Sequence, residues 1–223
     1  MNSHAPINSD KPSEEILLTE AGSVRFVQIP QFLSIDERDT LFENVLTHKR
    51  SFNPPGMPGQ YINDATSTML FPDFGQDPSE LSLVDKISAR ISQKVCERLP
   101  EILKVLKLEP FSLEKLSINV MGGLNGHHGF PHMDTYSDDM KITVLYYFHK
   151  MPKAFDGGAL ELFESDSASK SGHKDEPIVT VEHQDNLLVA FPSDTFHGVS
   201  TVSGNATKFE DGRFVAVSFV RSP

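Results

Sequence analysis

The chain carries a single cysteine, Cys96, among 223 residues, so no intrachain disulfide can form and a reducing, cytoplasmic location is expected. Cys96 falls in an amphipathic helical pattern, where it reads as a small buried hydrophobe rather than a reactive thiol. No apolar run approaches the roughly 18–20 residues that a membrane span requires. Met1 to Glu15 lacks the basic start and apolar stretch of a signal peptide, and residues 1–20 are expected to form a disordered tail. Basic residues are scarce: 20 Lys and Arg against 31 Asp and Glu give a formal charge of -11. Such a surface repels phosphate backbones, and no basic cluster overrides it, so neither nucleic acid nor membrane is an expected partner. No internal repeat or low-complexity tract occurs. What remains is a soluble globular chain with one domain over residues 21–223.

The period of the apolar residues changes along that domain. Val24 to Ile29 alternates as a short strand. Ser34 and Glu37 have the spacing of a capping box, and Leu41, Phe42, Val45 and Leu46 give the helix behind it one apolar stripe. Residues 50–65, with Pro54, Pro55, Pro58, Gly56 and Gly59, are expected to form a long loop, of the kind used as a lid or binding loop or else as a mobile linker; Met57 and Tyr61 lie within it. Asp77-Pro78-Ser79-Glu80 predicts a second helix with a buried face of Val84, Ile87, Ile91 and Val95, and Pro100 is expected to end or restart it. This helical support spans 34–108. From residue 112 the period becomes two, and short alternating runs divided by turn residues continue to 221, as in a β-sandwich or barrel. The fold class is mainly β with a helical N-terminal part.

The residues that carry chemistry lie in this second half. A strand places i and i+2 on one face, so His132 and Asp134 can face one ion while Met133 points away. The H-x-D pattern occurs three times, at His132/Asp134, His173/Asp175 and His183/Asp185. His173 sits in a polar loop and His183 closes a strand before a turn, whereas His132 follows a glycine-rich bend between strands. His197 follows an apolar run and supplies a second imidazole from a distant strand. Two histidines and one carboxylate with open positions are the ligand set of a non-haem Fe(II) oxygenase. Arg213 opens a strand and shares a face with Val215, Val217 and Phe219. A buried arginine there needs a carboxylate partner, which a bound dicarboxylic acid would provide bidentately; Lys208 and Arg221 are the alternatives. Tyr147 can add a hydroxyl to the same carboxylate, or serve as a plain core residue. His127 and His128 flank the bend and read as exposed loop histidines more readily than as substrate contacts.

HMD at 132–134, TVLYYFH at 143–149, FDGGALELF at 155–163, LLVAFPSDTFHGV at 187–199 and RFVAVSFV at 213–220 together resemble the 2-oxoglutarate/Fe(II) dioxygenases of the prolyl 4-hydroxylase-like branch. The segment FLSIDERDTLFENVL is similar to the helix that precedes this core in free-standing bacterial members. The resemblance implies a double-stranded β-helix, a cupin-like jelly roll, over 112–221. It implies Fe(II) on His132, Asp134 and His197, and 2-oxoglutarate with Arg213 on its C5 carboxylate, assisted by Tyr147. Gly157 and Gly158 would form the tight turn that opens the next strand. The implied reaction consumes O2, converts 2-oxoglutarate to succinate and CO2, and hydroxylates an unactivated C–H bond. The expected substrate is a small amino-acid-like metabolite, with a peptidyl, prolyl-type residue as the alternative; a non-catalytic metal- or ligand-binding jelly roll is the third reading. Two positions depart from the pattern. Where many relatives carry a tyrosine on the strand before H-x-D, this chain offers Asn119 or Met121, and the last strand has Phe219 in a chain without tryptophan.

Overall fold

Met140–Phe148 reads as an almost unbroken apolar run because both of its faces are buried. Ile142, Val144, Tyr146 and Phe148 pack in one hydrophobic core, and Leu145 and Tyr147 pack in another. The strand therefore lies inside a sheet covered on both sides. The computed structural model describes residues 16–52, 67–70, 83–113, 116 and 118–223.

Thirteen strands and two helices are described: β1 Leu17–Ala21, β2 Val24–Pro30, α1 Ile35–Thr47, β3 Ser67–Leu70, α2 Leu83–Leu106, β4 Ile118–Gly123, β5 Gly129–His132, β6 Met140–Phe148, β7 Phe155–Asp156, β8 Leu160–Phe163, β9 Val179–Val181, β10 Leu187–Pro192, β11 Phe196–Val199, β12 Ser203–Gly204 and β13 Arg213–Arg221. Seven strands form one antiparallel sheet in the order β1-β2-β10-β6-β13-β4-β3, and four form a second in the order β5-β11-β8-β9. A small pair, β12-β7, forms a third sheet. The inner faces of the two sheets share a core that includes Phe26, Met121, Leu145, Leu160, Leu162, Val189 and Val215. The helices lie on the outer face of the larger sheet, where Leu41, Val45, Ile91, Val95 and Leu103 meet Val27, Tyr146, Leu188 and Ala216. This is a jelly roll buttressed by helices.

The capping box forms as predicted: Glu37 N donates to Ser34 Oγ at 3.2 Å, and Ser34 N donates to Glu37 Oε2 at 2.9 Å. Three expectations are corrected. The tail does not extend to residue 20, because Leu17–Ala21 pairs antiparallel with β2 from Leu17↔Gln28 to Ala21↔Val24. Pro100 neither ends nor restarts α2, which runs through it. The proline is on the exposed side, so water can take the Cys96 carbonyl that loses its partner, while Ile91, Val95, Leu99, Ile102 and Leu106 keep one continuous buried face. Asp134 is not on a strand, since β5 ends at His132. The start of the second helix at Asp77 and most of the 50–65 loop, with Met57 and Tyr61, lie outside the described residues. No helix among those described is long and apolar enough to cross a membrane.

Candidate active site

Pairing of β5 with β11 puts His132 and His197 directly opposite each other, with ring centroids 4.4 Å apart. Each imidazole is held through its Nδ1, by the Phe130 carbonyl at 2.8 Å for His132 and by the Thr195 carbonyl at 3.0 Å for His197. With Nδ1 so engaged, Nε2 is the ring nitrogen each histidine turns to the carboxylate, and the one that a metal would take once its proton has left. They converge on Asp134: His132 Nε2 is 3.5 Å from Oδ1, and His197 Nε2 is 3.2 Å from Oδ2. The turn after β5 carries this carboxylate inward, fixed by the bond from Asp134 N to Ser193 O at 2.9 Å. The Thr143 hydroxyl donates to Asp134 Oδ2 at 2.8 Å and lies 3.2 Å from Ser193 Oγ.

Ligand atoms of His132, Asp134 and His197 all lie within 4.8 Å of one another, and no other group of three such residues does so among those described. Burial pushes the Asp134 carboxyl up, but hydrogen bonds from His132, His197 and Thr143 outweigh it and hold the group far below the ordinary carboxylate range. Burial pushes His132 down, and its bonds to Asp134 and the Phe130 carbonyl more than offset that, leaving it above the ordinary imidazole value. An anionic carboxylate between two fixed imidazoles, with a hydroxyl and two carbonyls orienting them, fits a divalent iron of the 2-His-1-carboxylate type.

The triad sits at one end of a cavity whose opposite end holds Arg213 and His127. The wall between them is apolar, with Met121, Leu145, Leu160 and Val215. Arg213, the first residue of β13, is 3% exposed and donates from Nε to the Gly158 carbonyl at 2.7 Å. Gly157 and Gly158 form the expected turn, each with φ +67. Gly158 also makes room: a Cβ there would lie 2.6 Å from Arg213 Cδ.

Tyr147 is brought to Arg213 but lies beyond the cavity lining, with its ring under the guanidinium at 5.4 Å and against His183 at 4.6 Å. Its hydroxyl is fully buried and makes no hydrogen bond of normal geometry. Burial pushes it up to about 12, with Arg213 opposing the rise. Neither of the other H-x-D pairs joins the triad: His183 is buried behind Arg213, on the far side of the Tyr147 ring. His173 packs between Phe163 and Phe196 at 5.2 and 5.1 Å, and Asp185 binds Arg38.

His127 overturns its expectation. It is 2% exposed and lines the cavity beside Arg213, while His128 is half-buried, with Nδ1 3.0 Å from the Gly126 carbonyl. Burial, then Arg213 and His128, push His127 down to about 3, so its imidazole is neutral. No local sequence signal marks this burial, because the ring fills the space left by the missing side chain at Gly123.

The family described as the 2OG-Fe(II) oxygenase superfamily matches residues 116–221, which hold the whole triad and Arg213. An uncharacterised PKHD-type hydroxylase of Synechocystis is 25% identical over 198 residues, 87% of this chain and 62% of that protein, so the chain spans under two thirds of the relative's length. Among solved structures, a Pseudomonas putida prolyl-4-hydroxylase aligns at TM-score 0.59 and 20% identity, over 89% of this chain and 92% of its own. A Trichoplax adhaerens prolyl hydroxylase, solved with a hypoxia inducible factor peptide fragment, aligns at TM-score 0.56 and 15% identity, over 88% and 83%. These two likenesses are of fold. The family match covers just under half of the chain, and that segment carries the triad, Arg213 and the strands that bring them to one cavity.

Proposed function

We propose that the protein is an Fe(II)- and 2-oxoglutarate-dependent dioxygenase that hydroxylates an unactivated C–H bond of an amino-acid substrate. One observation carries the reading: the His132–Asp134–His197 cluster faces the buried Arg213 across an apolar-walled cavity. Bound Fe(II) with 2-oxoglutarate supplies the oxidation of that C–H bond by O2, with succinate, CO2 and the hydroxylated substrate as products. The chain's own residues do the rest. His132, His197 and Asp134 hold the metal, and Thr143 fixes the carboxylate's orientation. Arg213 takes the distal carboxylate as a charge-assisted pair in a site screened from water, and the Tyr147 ring lies against the guanidinium and supports its position. Met121, Leu145 and Val215 exclude water from the space between.

Two substrate readings stand: a free amino-acid-like metabolite, and a prolyl-type residue within a peptide. The second gains support from apolar side chains left in solvent around the metal end. Phe130 is 54% and Tyr136 52% exposed, and Met133, between two of the ligands, is 36% exposed. Such a rim suits the flanks of a bound chain better than a free zwitterion. The test is succinate formed from 2-oxoglutarate by the Fe(II)-loaded protein in air, with amino acids and short peptides supplied separately, and Asp134→Ala as control. Turnover raised by peptides alone and lost in the variant supports this reading; turnover raised by free amino acids alone reverses the choice of substrate. Failure to bind either metal or 2-oxoglutarate sinks the function.

A further inference from the structure

The end of the cavity away from the triad is built by three segments that leave room for one another. Gly123, the last residue of β4, is the partner of Arg213 in the β4–β13 ladder. A Cβ on Gly123 would lie 2.4 Å from His127 Nδ1 and 2.8 Å from its Cγ, so the imidazole occupies the space where a side chain at 123 would stand. Across the site, the missing side chain of Gly158 admits Arg213 in the same way. The bend that carries His127 is fixed at both ends: His127 N donates to Leu124 O at 2.9 Å, Gly126 N donates to Val202 O at 2.8 Å, and Val202 N donates to His127 O at 2.8 Å. The backbone of the bend is therefore fixed, and the buried ring shares the cavity wall with the Arg213 guanidinium, close enough to feel its charge.

We infer that His127 is a binding residue for the distal carboxylate of 2-oxoglutarate, acting beside Arg213 as a neutral N–H donor; this rests on the function proposed above. A carboxylate is an acceptor with room for several donors, and one arginine already balances its charge. A second cation there would repel Arg213, whereas an uncharged imidazole adds a hydrogen bond without that repulsion. The neutrality imposed by burial and by Arg213 agrees with this role.

The test is equilibrium binding of 2-oxoglutarate to the Mn(II)-loaded full chain by titration calorimetry, with pyruvate as a keto acid that lacks the distal carboxylate. His127→Phe and His127→Ala are expected to weaken 2-oxoglutarate binding about tenfold or more, to leave pyruvate and Mn(II) binding unchanged, and to raise KM for 2-oxoglutarate while kcat at saturation holds. His127→Asn, which keeps a donor, should recover part of the loss. Gly123→Ala should weaken 2-oxoglutarate binding in the wild-type background by displacing the ring, and should cause no further loss in the His127→Ala background. Unchanged 2-oxoglutarate affinity in both His127→Phe and His127→Ala overturns the assignment while leaving the proposed function standing. So do equal losses for pyruvate, which would mark a general disturbance of the site. A wild-type chain that takes up Mn(II) but not 2-oxoglutarate overturns the proposed function itself, and this assignment with it.

Discussion

Thr143 Oγ1 donates to Asp134 Oδ2 from the inward face of β6, the face that two residues further on presents Leu145 to the cavity and then Tyr147 to Arg213. One strand thus sets the metal carboxylate, the wall and the support of the arginine in a row. Thr143→Val keeps the shape and removes only the donor. Metal affinity is expected to fall about 10–100-fold, the usual cost of losing an outer-shell partner, with the unfolding temperature of the metal-free protein little changed. Competition for Mn(II) or Fe(II) against a chelator of known affinity checks this; equal affinity in variant and wild type refutes the role given to the hydroxyl.

Arg213 is costly to bury and repays that cost only when a carboxylate meets it. Arg213→Met, of similar length and apolar, should leave the ligand-free protein as stable as wild type or more so, yet weaken 2-oxoglutarate binding by about 30-fold or more, as expected when one member of a buried charge pair is removed. Thermal unfolding with and without 2-oxoglutarate, in the presence of Mn(II), reads both effects. A variant that 2-oxoglutarate still stabilises as it does the wild type would return the assignment to Lys208 or Arg221.

The part of this site legible in the sequence is the part fixed by strand periodicity. His132, His197 and Arg213 lie at strand ends, where alternation with apolar neighbours decides the face, and the structure brings all three to one cavity. Asp134 was paired with His132 by spacing, but the strand stops first and a turn held by Ser193 delivers the carboxylate. Tyr147 lies against Arg213 but outside the cavity lining, a depth that period two does not specify. The burial of His127 is not legible in the sequence, because it depends on the missing side chain at Gly123, a tertiary fit that no local pattern records. Pro100 shows the same limit from the other side: a local breaker is overridden by a continuous packed face.

The triad predicts opposite pH trends for the metal-free and loaded protein. His132 has a folded pKa above its unfolded value, so its contribution to metal-free stability is complete below about pH 6.5 and is lost as pH rises through the folded pKa. Asp134 has a folded pKa below its unfolded value, so its contribution is present above about pH 3.9 and is lost as pH falls through the lower folded one. Metal must displace the His132 proton, so metal affinity should climb with pH by up to about tenfold per unit below that pKa and level off above it. Unfolding temperatures with and without Mn(II), measured across this range, should diverge as pH rises. A constant gap would mean that His132 is already neutral in the metal-free protein.

Away from the site, Arg38 ties α1 to the jelly roll. Its Nε and Nη2 donate to Asp185 Oδ1 at 2.9 and 2.8 Å, Nη1 donates to Asp39, and Nη2 also donates to the His149 carbonyl. Asp185 in turn accepts from His149 N at 3.1 Å, so one carboxylate joins the helix, the end of β6 and the turn before β10. The Arg38 side chain is 9% exposed and that of Asp185 23%, so solvent screens only part of the pair. Asp185→Ala leaves a buried guanidinium short of its main partner. The expected cost is about 2 kcal/mol, below the full value for a completely buried pair because of that partial exposure. In a domain of this size it corresponds to a fall in Tm of about 4–8 °C. Arg38→Met in the same background removes the uncompensated charge and should restore part of the loss, which strict additivity of the two substitutions would contradict. Metal and 2-oxoglutarate affinity should stay at wild-type values in both variants, because the pair touches neither the triad nor Arg213. Loss of 2-oxoglutarate binding in Asp185→Ala would show instead that this outer tie positions the co-substrate pocket through His149 and the rings packed against it.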